Sequence, residues 1–357
     1  MRRREALGRI GRAALAAGVL GVVPARGHAR PDVCDALGAA PIRWLVGWSP
    51  GGGYDTYSRL LEPVLERELE REVVVENAPG AAGLIAARRI SGARPDGHTL
   101  GILNGTGLLI TPLSNPSFSF DIASDFTILA RIARQDQVLF LGRGTGIATI
   151  EELVERTRGG QLVLGGTGFG TVNLLLAATL EDLFGMRVEQ VLGFAGSSEV
   201  IHAVRQGWVD GGVISEEGIF RDATVVPLLR FSPQAAGDSE LSAIPRLEGS
   251  AGLIATRPEL FVDPRRARVD AEALASVTSV GRLLAGPPGL PSDLEACLIG
   301  AVARVLGDPG FVTAAGRLGR GLQPTSPEAV ARDLASAIAA RPRFEAAIRR
   351  ALTRQRG

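Results

Sequence analysis

No lysine occurs anywhere in the 357-residue sequence, so its 39 Lys-or-Arg positions are all arginine. A Walker-type phosphate loop, a pyridoxal Schiff base and the phosphate-contacting lysine of a protein kinase cannot be built without lysine. Histidine is limited to His28, His98 and His202, and cysteine to Cys34 and Cys297. So few of each, without characteristic spacing, argue against a zinc site. No excess of one charge is present either: the formal net charge is +1, so no long-range field selects nucleic acid or an anionic membrane surface. Past the N-terminus no run reaches the ~18 consecutive apolar residues of a membrane-spanning helix. Nothing in the residue inventory calls for a cofactor.

What is present begins with a leader. Arg2, Arg3 and Arg4 precede an apolar stretch from Ala13 to Val23, and small residues lead to Ala29. The pattern predicts a signal peptide over residues 1–29, cleaved near Ala29, and therefore export. The paired arginines fit a twin-arginine signal and an ordinary secretory signal alike. Cys34 follows Pro31, Asp32 and Val33, too polar a context for lipid attachment. An oxidising compartment permits a Cys34–Cys297 bridge tying an N-terminal arm to the C-terminal part; two free thiols are the alternative, because sequence does not measure their separation.

Along the mature chain, short β-branched runs alternate with helical periodicity. Strands are predicted at Ile42 to Val46, Val73 to Val75, Thr99 to Leu103, Val138 to Leu141, Leu162 to Leu164, Val188 to Leu192, Val209 to Ile214 and Val225 to Leu229, with helices in most gaps. Thr149 with Glu152 and Ser292 with Glu295 have capping-box spacing, and Ser326 precedes a proline suited to a first helical turn. The alternation predicts an α/β chain with largely parallel sheets covered by helices. Its length is comfortable for two lobes.

Directly after the first strand comes Trp48-Ser49-Pro50-Gly51-Gly52-Gly53-Tyr54-Asp55, running into a helix. Consecutive glycines there turn the backbone sharply and present N–H groups beside the positive end of a helix dipole, which makes an anion site. A tight turn without a ligand is the alternative. A second loop of this kind, Gly165 to Thr171, also lies between a strand and a helix. Neither loop has dinucleotide-binding glycine spacing. Gly47-Trp-Ser49-Pro-Gly51 does match the nucleophile-elbow pattern of a serine hydrolase. Against that reading, Pro50 has no N–H to serve as an oxyanion donor, and none of the three histidines lies in an evident base position.

At these residues the sequence resembles the substrate-binding receptors of tripartite tricarboxylate transporters, the Bug family. The resemblance covers Pro50 to Asp55 with Arg59, Val74 to Gly83, Pro95 to Leu100, Asp125 to Thr127, Gly166 to Thr171, Phe194 to Gly196 with Gly207 to Asp210, and Pro287 to Pro291, in order over most of the mature chain. It implies a two-lobe periplasmic-binding-protein fold of type II, with a ligand cleft between the lobes. On this reading residues 40–137 with about 246–357 form lobe 1 and residues 138–245 form lobe 2. The carried-over ligand positions are Gly52, Gly53, Tyr54 and Asp55 from the first loop and Thr167, Gly168, Gly170 and Thr171 from the second. Asn104, Thr106 and Gly196 are further wall positions. The implied protein is a monomeric periplasmic receptor that binds a small carboxylate, catalyses nothing, and serves integral membrane transporter subunits; a ligand sensor for a signalling receptor fits the same fold. Two departures stand out. Leu174 and Ala178 occupy positions where relatives often have histidine and glutamate, and Ile244-Pro-Arg-Leu-Glu248 replaces a Pro-Thr-x-x-Glu stretch.

Overall fold

A computed structural model describes residues 34, 36–114, 120–158, 160–168, 171–215, 219, 222–231 and 243–354. The predicted leader lies outside these residues. The strands are β1 (Ile42–Val46), β2 (Val73–Asn77), β3 (Thr99–Asn104), β4 (Thr127–Ala133), β5 (Gln137–Gly142), β6 (Gln161–Gly166), β7 (Arg187–Leu192), β8 (Gly211–Ser215), β9 (Val225–Arg230) and β10 (Arg282–Gly286). The helices are α1 (Gly53–Leu69), α2 (Leu84–Ser91), α3 (Gly105–Ser114), α4 (Ile150–Thr157), α5 (Val172–Phe184), α6 (Ser197–Arg205), α7 (Leu253–Thr256), α8 (Pro264–Ser279), α9 (Ser292–Gly307), α10 (Pro309–Arg317), α11 (Pro327–Ala340) and α12 (Glu345–Arg354).

Two five-stranded sheets result, ordered β2-β1-β3-β10-β4 and β7-β6-β8-β5-β9. In the first, β1 runs parallel to β2 and β3, with Ile42 opposite Val73 and Val46 opposite Asn77. In the second, β6 runs parallel to β7 and β8. Each sheet also carries one antiparallel member: β10 against β3 and β4, and β5 against β8 and β9. The sheets are therefore mixed, where the alternation predicts largely parallel ones. The chain passes from β4 to β5 through residues 134–136 and enters the second sheet running against β8 and β9, and it returns through α7 and α8 to lay β10 against β3 and β4. Gln137, the last residue of the predicted first lobe, opens β5, and Arg246 bridges to Arg230 of β9.

Packing follows from the apolar faces. In β1, Ile42, Trp44, Leu45 and Val46 are buried and Arg43 is exposed; α1 covers this sheet with Tyr57, Leu61, Leu65 and Leu69. A second cluster is continuous between the sheets, joining Leu103 and Leu283 of the first to Leu139 and Leu164 of the second through Leu174, Leu175 and Leu176 of α5 and Ile348 of α12. Leu174 and Ala178, the departures from the family pattern, are both buried, so apolar side chains occupy these interior positions. Cys34 and Cys297 are bonded, with Cα atoms 5.7 Å apart, which ties the segment before β1 to α9.

Candidate functional site

The first loop is built at the carboxyl end of β1. Gly51 has φ of +82°, a left-handed conformation that side chains disfavour, and it turns the chain toward α1. Gly52 is in extended backbone and precedes the helix with no side-chain cap. The helical N–H groups at Gly53 and Asp55 have no intrahelical acceptor, as in any first turn, and they lie at the positive end of the helix dipole.

Asp55 holds this turn in place. Its carboxylate is only 2% exposed; Oδ2 accepts from the Gly51 N–H at 2.8 Å and from Arg59 Nε at 3.1 Å, and Oδ1 accepts from Asn77 Nδ2 at 2.9 Å. The same Asn77 amide donates to the Trp48 carbonyl at 2.9 Å, and Arg59 Nη2 donates to Asn77 Oδ1 at 3.1 Å. Burial by itself would raise the carboxyl pKa, but the bonds from Gly51, Asn77 and Arg59, with the Arg59 charge, outweigh it and hold the pKa below its ordinary value. Asp55 is thus an ionised pin whose two oxygens are engaged by the loop, β2 and α1. The i,i+4 spacing of Asp55 and Arg59 is the visible sequence signal; Asn77, on the next strand, gives no local one.

Tyr54 reaches from the same turn to the crossover between the sheets. Its ring stacks on Trp48 with centroids 3.7 Å apart and planes 11° from parallel, and its hydroxyl accepts from Gln135 Nε2 at 2.5 Å. The Arg282 guanidinium lies over the Tyr54 and Tyr57 rings at 5.3 and 5.2 Å and donates to the Arg134 carbonyl at 3.1 Å. The resemblance gives Tyr54 as a ligand position and the sequence shows Trp48 beside the loop, but neither hints at Gln135 or Arg282.

The other expected positions divide. Asn104 is 8% exposed at the end of β3, where its Oδ1 accepts from the Gly107 N–H at 2.9 Å and caps α3. Thr106 corrects the sequence reading: it is 0% exposed, and its hydroxyl donates to the Val277 carbonyl at 3.1 Å and accepts from the Gly281 N–H at 3.3 Å. That side chain joins α3 to the end of α8 and forms no wall. In the second loop, β6 ends at Gly166, Thr167 and Gly168 are half-buried, and Gly168 has φ of +143°. Thr171 caps α5, accepting from the Leu174 N–H at 3.4 Å and donating to the Gly168 carbonyl at 2.8 Å. Gly170 lies outside the described residues. Gly196 precedes α6 in extended backbone, and no heavy atom beyond its chain neighbours comes within 4 Å of where a Cβ would stand. Glu199 of that helix accepts from the Ala195 N–H at 2.7 Å.

The loops after β1 and β6 therefore each end a parallel strand and open a helix, at the sheet edge where open α/β folds take ligands. Ser49 shares that edge, but no described histidine does. His98 accepts from the Arg43 N–H through its carbonyl at the opposite end of β1, about 15 Å away at ~3.3 Å per strand residue. His202 sits on α6 against Trp208.

Residues 58–221 match the family model for the tripartite tricarboxylate transporter family receptor, from α1 through the second loop into the second sheet. A protein encoded in the tcbD-tcbE intergenic region of a Pseudomonas species is 28% identical over 206 residues, 57% of this chain and 60% of that one. BugT of Bordetella pertussis is 27% identical over 173 residues, 47% of this chain and 52% of that one. The first of these curated relatives is thus spanned for less than two thirds of its length, and the second for about half. MatC of Rhodopseudomonas palustris, solved with bound malate, superposes with a TM-score of 0.66 at 23% identity, over 87% of this chain and 99% of its own. Another Rhodopseudomonas palustris protein, solved with adipate, gives 0.70 at 20% identity, over 87% and 97%. These last two likenesses are of fold, and they agree with the sequence matches: the chain is similar to the tripartite tricarboxylate transporter receptors, the Bug family.

Proposed function

We propose that this protein is an exported receptor that captures a small carboxylate between two lobes and delivers it to integral membrane transporter subunits, without chemistry. The observation that carries the reading is the pair of strand-to-helix turns at the carboxyl ends of β1 and β6, which open α1 and α5. Helix N-termini of this kind hold carboxylates through backbone N–H groups and the helix dipole. Support comes from the family match and from related folds solved with malate and adipate. On this reading the lobes are residues 40–137 with 246–357 and residues 138–245, the leader of residues 1–29 directs the protein to the periplasm, and Gly52, Gly53, Thr167 and Gly168 approach the ligand.

Unfolding measured against a panel of carboxylates tests the proposal. A ligand that binds only the folded state adds about 2.7 kcal/mol at one hundred times its Kd. A raised midpoint with an acid, and none with a neutral sugar, is the expected result. No shift with any acid overturns the carboxylate reading.

A further inference from the structure

Away from the glycine loops, α11 forms one wall of an apolar groove. A cavity of about 340 Å³ is lined by Leu109, Phe120, Ile122, Leu334, Ile338 and Arg341. A neighbouring cavity of about 470 Å³ shares Leu334 and Ile338 and continues along Val330, Phe126 and Pro288. The rings of Phe120 and Phe126, one in each cavity, have centroids 5.7 Å apart, so the two spaces adjoin. Each volume falls in the range of small-molecule sites, roughly 300–1,000 Å³. The groove is not the cleft. Thr127, on its wall, lies opposite Gly286 at one end of β10, whereas Arg282 at the other end lies opposite Asn104, at the edge where the first loop stands.

One polar group on this apolar wall lacks a match. Arg341 is half-buried; its Nε is buried without an acceptor, and its guanidinium makes no hydrogen bond or ion pair among the described residues. Arg131 and Arg282 also have a buried, unbonded Nε, but each is fixed through Nη1, to the Ser279 and Arg134 carbonyls. A position just after the last turn of α11 favours a cation through the helix dipole, yet it supplies the guanidinium with no acceptor. Asp121, the carboxylate on the same cavity, is exposed and its Oδ1 accepts from the Ala123 N–H at 3.0 Å. The terminal nitrogens of Arg341 are therefore left to meet an anion from outside the chain, and their planar fork matches a carboxylate.

We infer that this groove is a second binding site, separate from the cleft, for an aliphatic monocarboxylic acid. The carboxylate lies on Arg341, and the chain runs over Leu334 and Ile338 toward Phe126 and Val330. This does not depend on the receptor reading, which rests on the glycine loops. Burial of the chain makes affinity rise about fourfold per added methylene group, a dependence that a site built for short, polar acids does not show.

Calorimetric titration of the purified protein with butanoate, hexanoate and octanoate, and with octan-1-ol as the uncharged counterpart, tests the inference. Octanoate is expected to bind most tightly, with about fourfold per methylene group along the series and at least about tenfold over octan-1-ol. Arg341→Gln should reduce octanoate to the level of the alcohol. Ile338→Glu, at a position 41% exposed, places a carboxylate in the groove and should abolish octanoate binding. Octanoate affinity unchanged in both variants puts the acid elsewhere and overturns the inference. Octan-1-ol binding as tightly as octanoate overturns it as well, by removing Arg341 from recognition, and so does a failure of octanoate to bind. The acid series and the alcohol comparison use the unaltered protein, so they stand even if a variant does not fold.

Discussion

Asp55 connects Gly51, Arg59 and Asn77 through one carboxylate, so its replacement leaves several buried or half-buried donors without their acceptor. Hydrogen bonds to charged groups contribute about 1.5–3 kcal/mol each in net effect, and Asp55→Asn is expected to lose stability on that scale. The pH dependence has a definite sign. The folded pKa is depressed below its ordinary 3.8, so the contribution is present above that value and is lost as pH falls through the folded pKa. Urea unfolding should therefore show a larger penalty for Asp55→Asn at about pH 7 than at about pH 2.5. Equal penalties at both would remove the carboxylate charge from the account. The sequence places Asp55 at the start of a helix, but its pin role depends on Asn77, brought alongside only when β2 pairs with β1. Thr106 shows the opposite limit: a small polar residue after a strand reads as a wall, and only packing against α8 reveals that its hydroxyl is used internally. Glu248 carries a pH dependence of the other sign. Its Oε1 is buried without a hydrogen-bond partner among the described residues. Burial raises its pKa above the ordinary 4.5, and Glu272 adds repulsion. A raised carboxyl pKa favours folding below the ordinary value and costs stability as pH rises through the folded value. Glu248→Gln should therefore stabilise the protein by about 1 kcal/mol near neutrality, with the gain fading below about pH 4. Thermal unfolding across that range measures it; a gain that persists in acid would point to packing and away from charge.

Helix caps and strands differ in how much they announce themselves. Thr149 and Glu152 have capping-box spacing, and Thr149 Oγ1 does accept from the Glu152 N–H at 3.2 Å. Ser292 has the same spacing to Glu295, yet it is already the first helical residue and Pro291 precedes it without a side-chain cap. β4 and β10 escape the pattern reading. All five residues of β10 are buried, so both faces of the sheet are covered there and the strand has no solvent-facing alternation to read. β4 carries Arg131 within a buried run, where its guanidinium binds the Ser279 carbonyl at 2.8 Å and Asp333 at 2.5 Å. Thr171 offers a test at this scale: Thr171→Ala removes the α5 cap and should lower stability by about 1 kcal/mol, read by urea unfolding, and weaken carboxylate binding through loss of the bond to Gly168. Unchanged affinity would separate the cap from the site.

At the scale of the whole molecule, the disulfide and the first glycine loop occupy opposite ends of the first sheet. Cys34 precedes β1 and is bonded to Cys297 of α9. Around this end, Arg71 donates to the carbonyls of Leu37 and Gly38, and His98 precedes β3. The Gly51–Asp55 turn lies beyond the carboxyl end of β1, a strand length away. The bridge closes a sequence separation of 263 residues, so it constrains about three quarters of the 357-residue unfolded chain, and removing such a bond typically costs about 2–5 kcal/mol. Its effect on the site should be small, because α1 and β1 are also held by the buried Trp44, Tyr57, Leu61 and Leu65. The Cys34→Ser, Cys297→Ser double variant is therefore expected to unfold at a lower temperature while its carboxylate Kd stays within about twofold, since the energetic effect acts mainly on the unfolded ensemble. A large loss of affinity at a temperature where the variant remains folded would show that the bridge also positions the glycine loop, through β1.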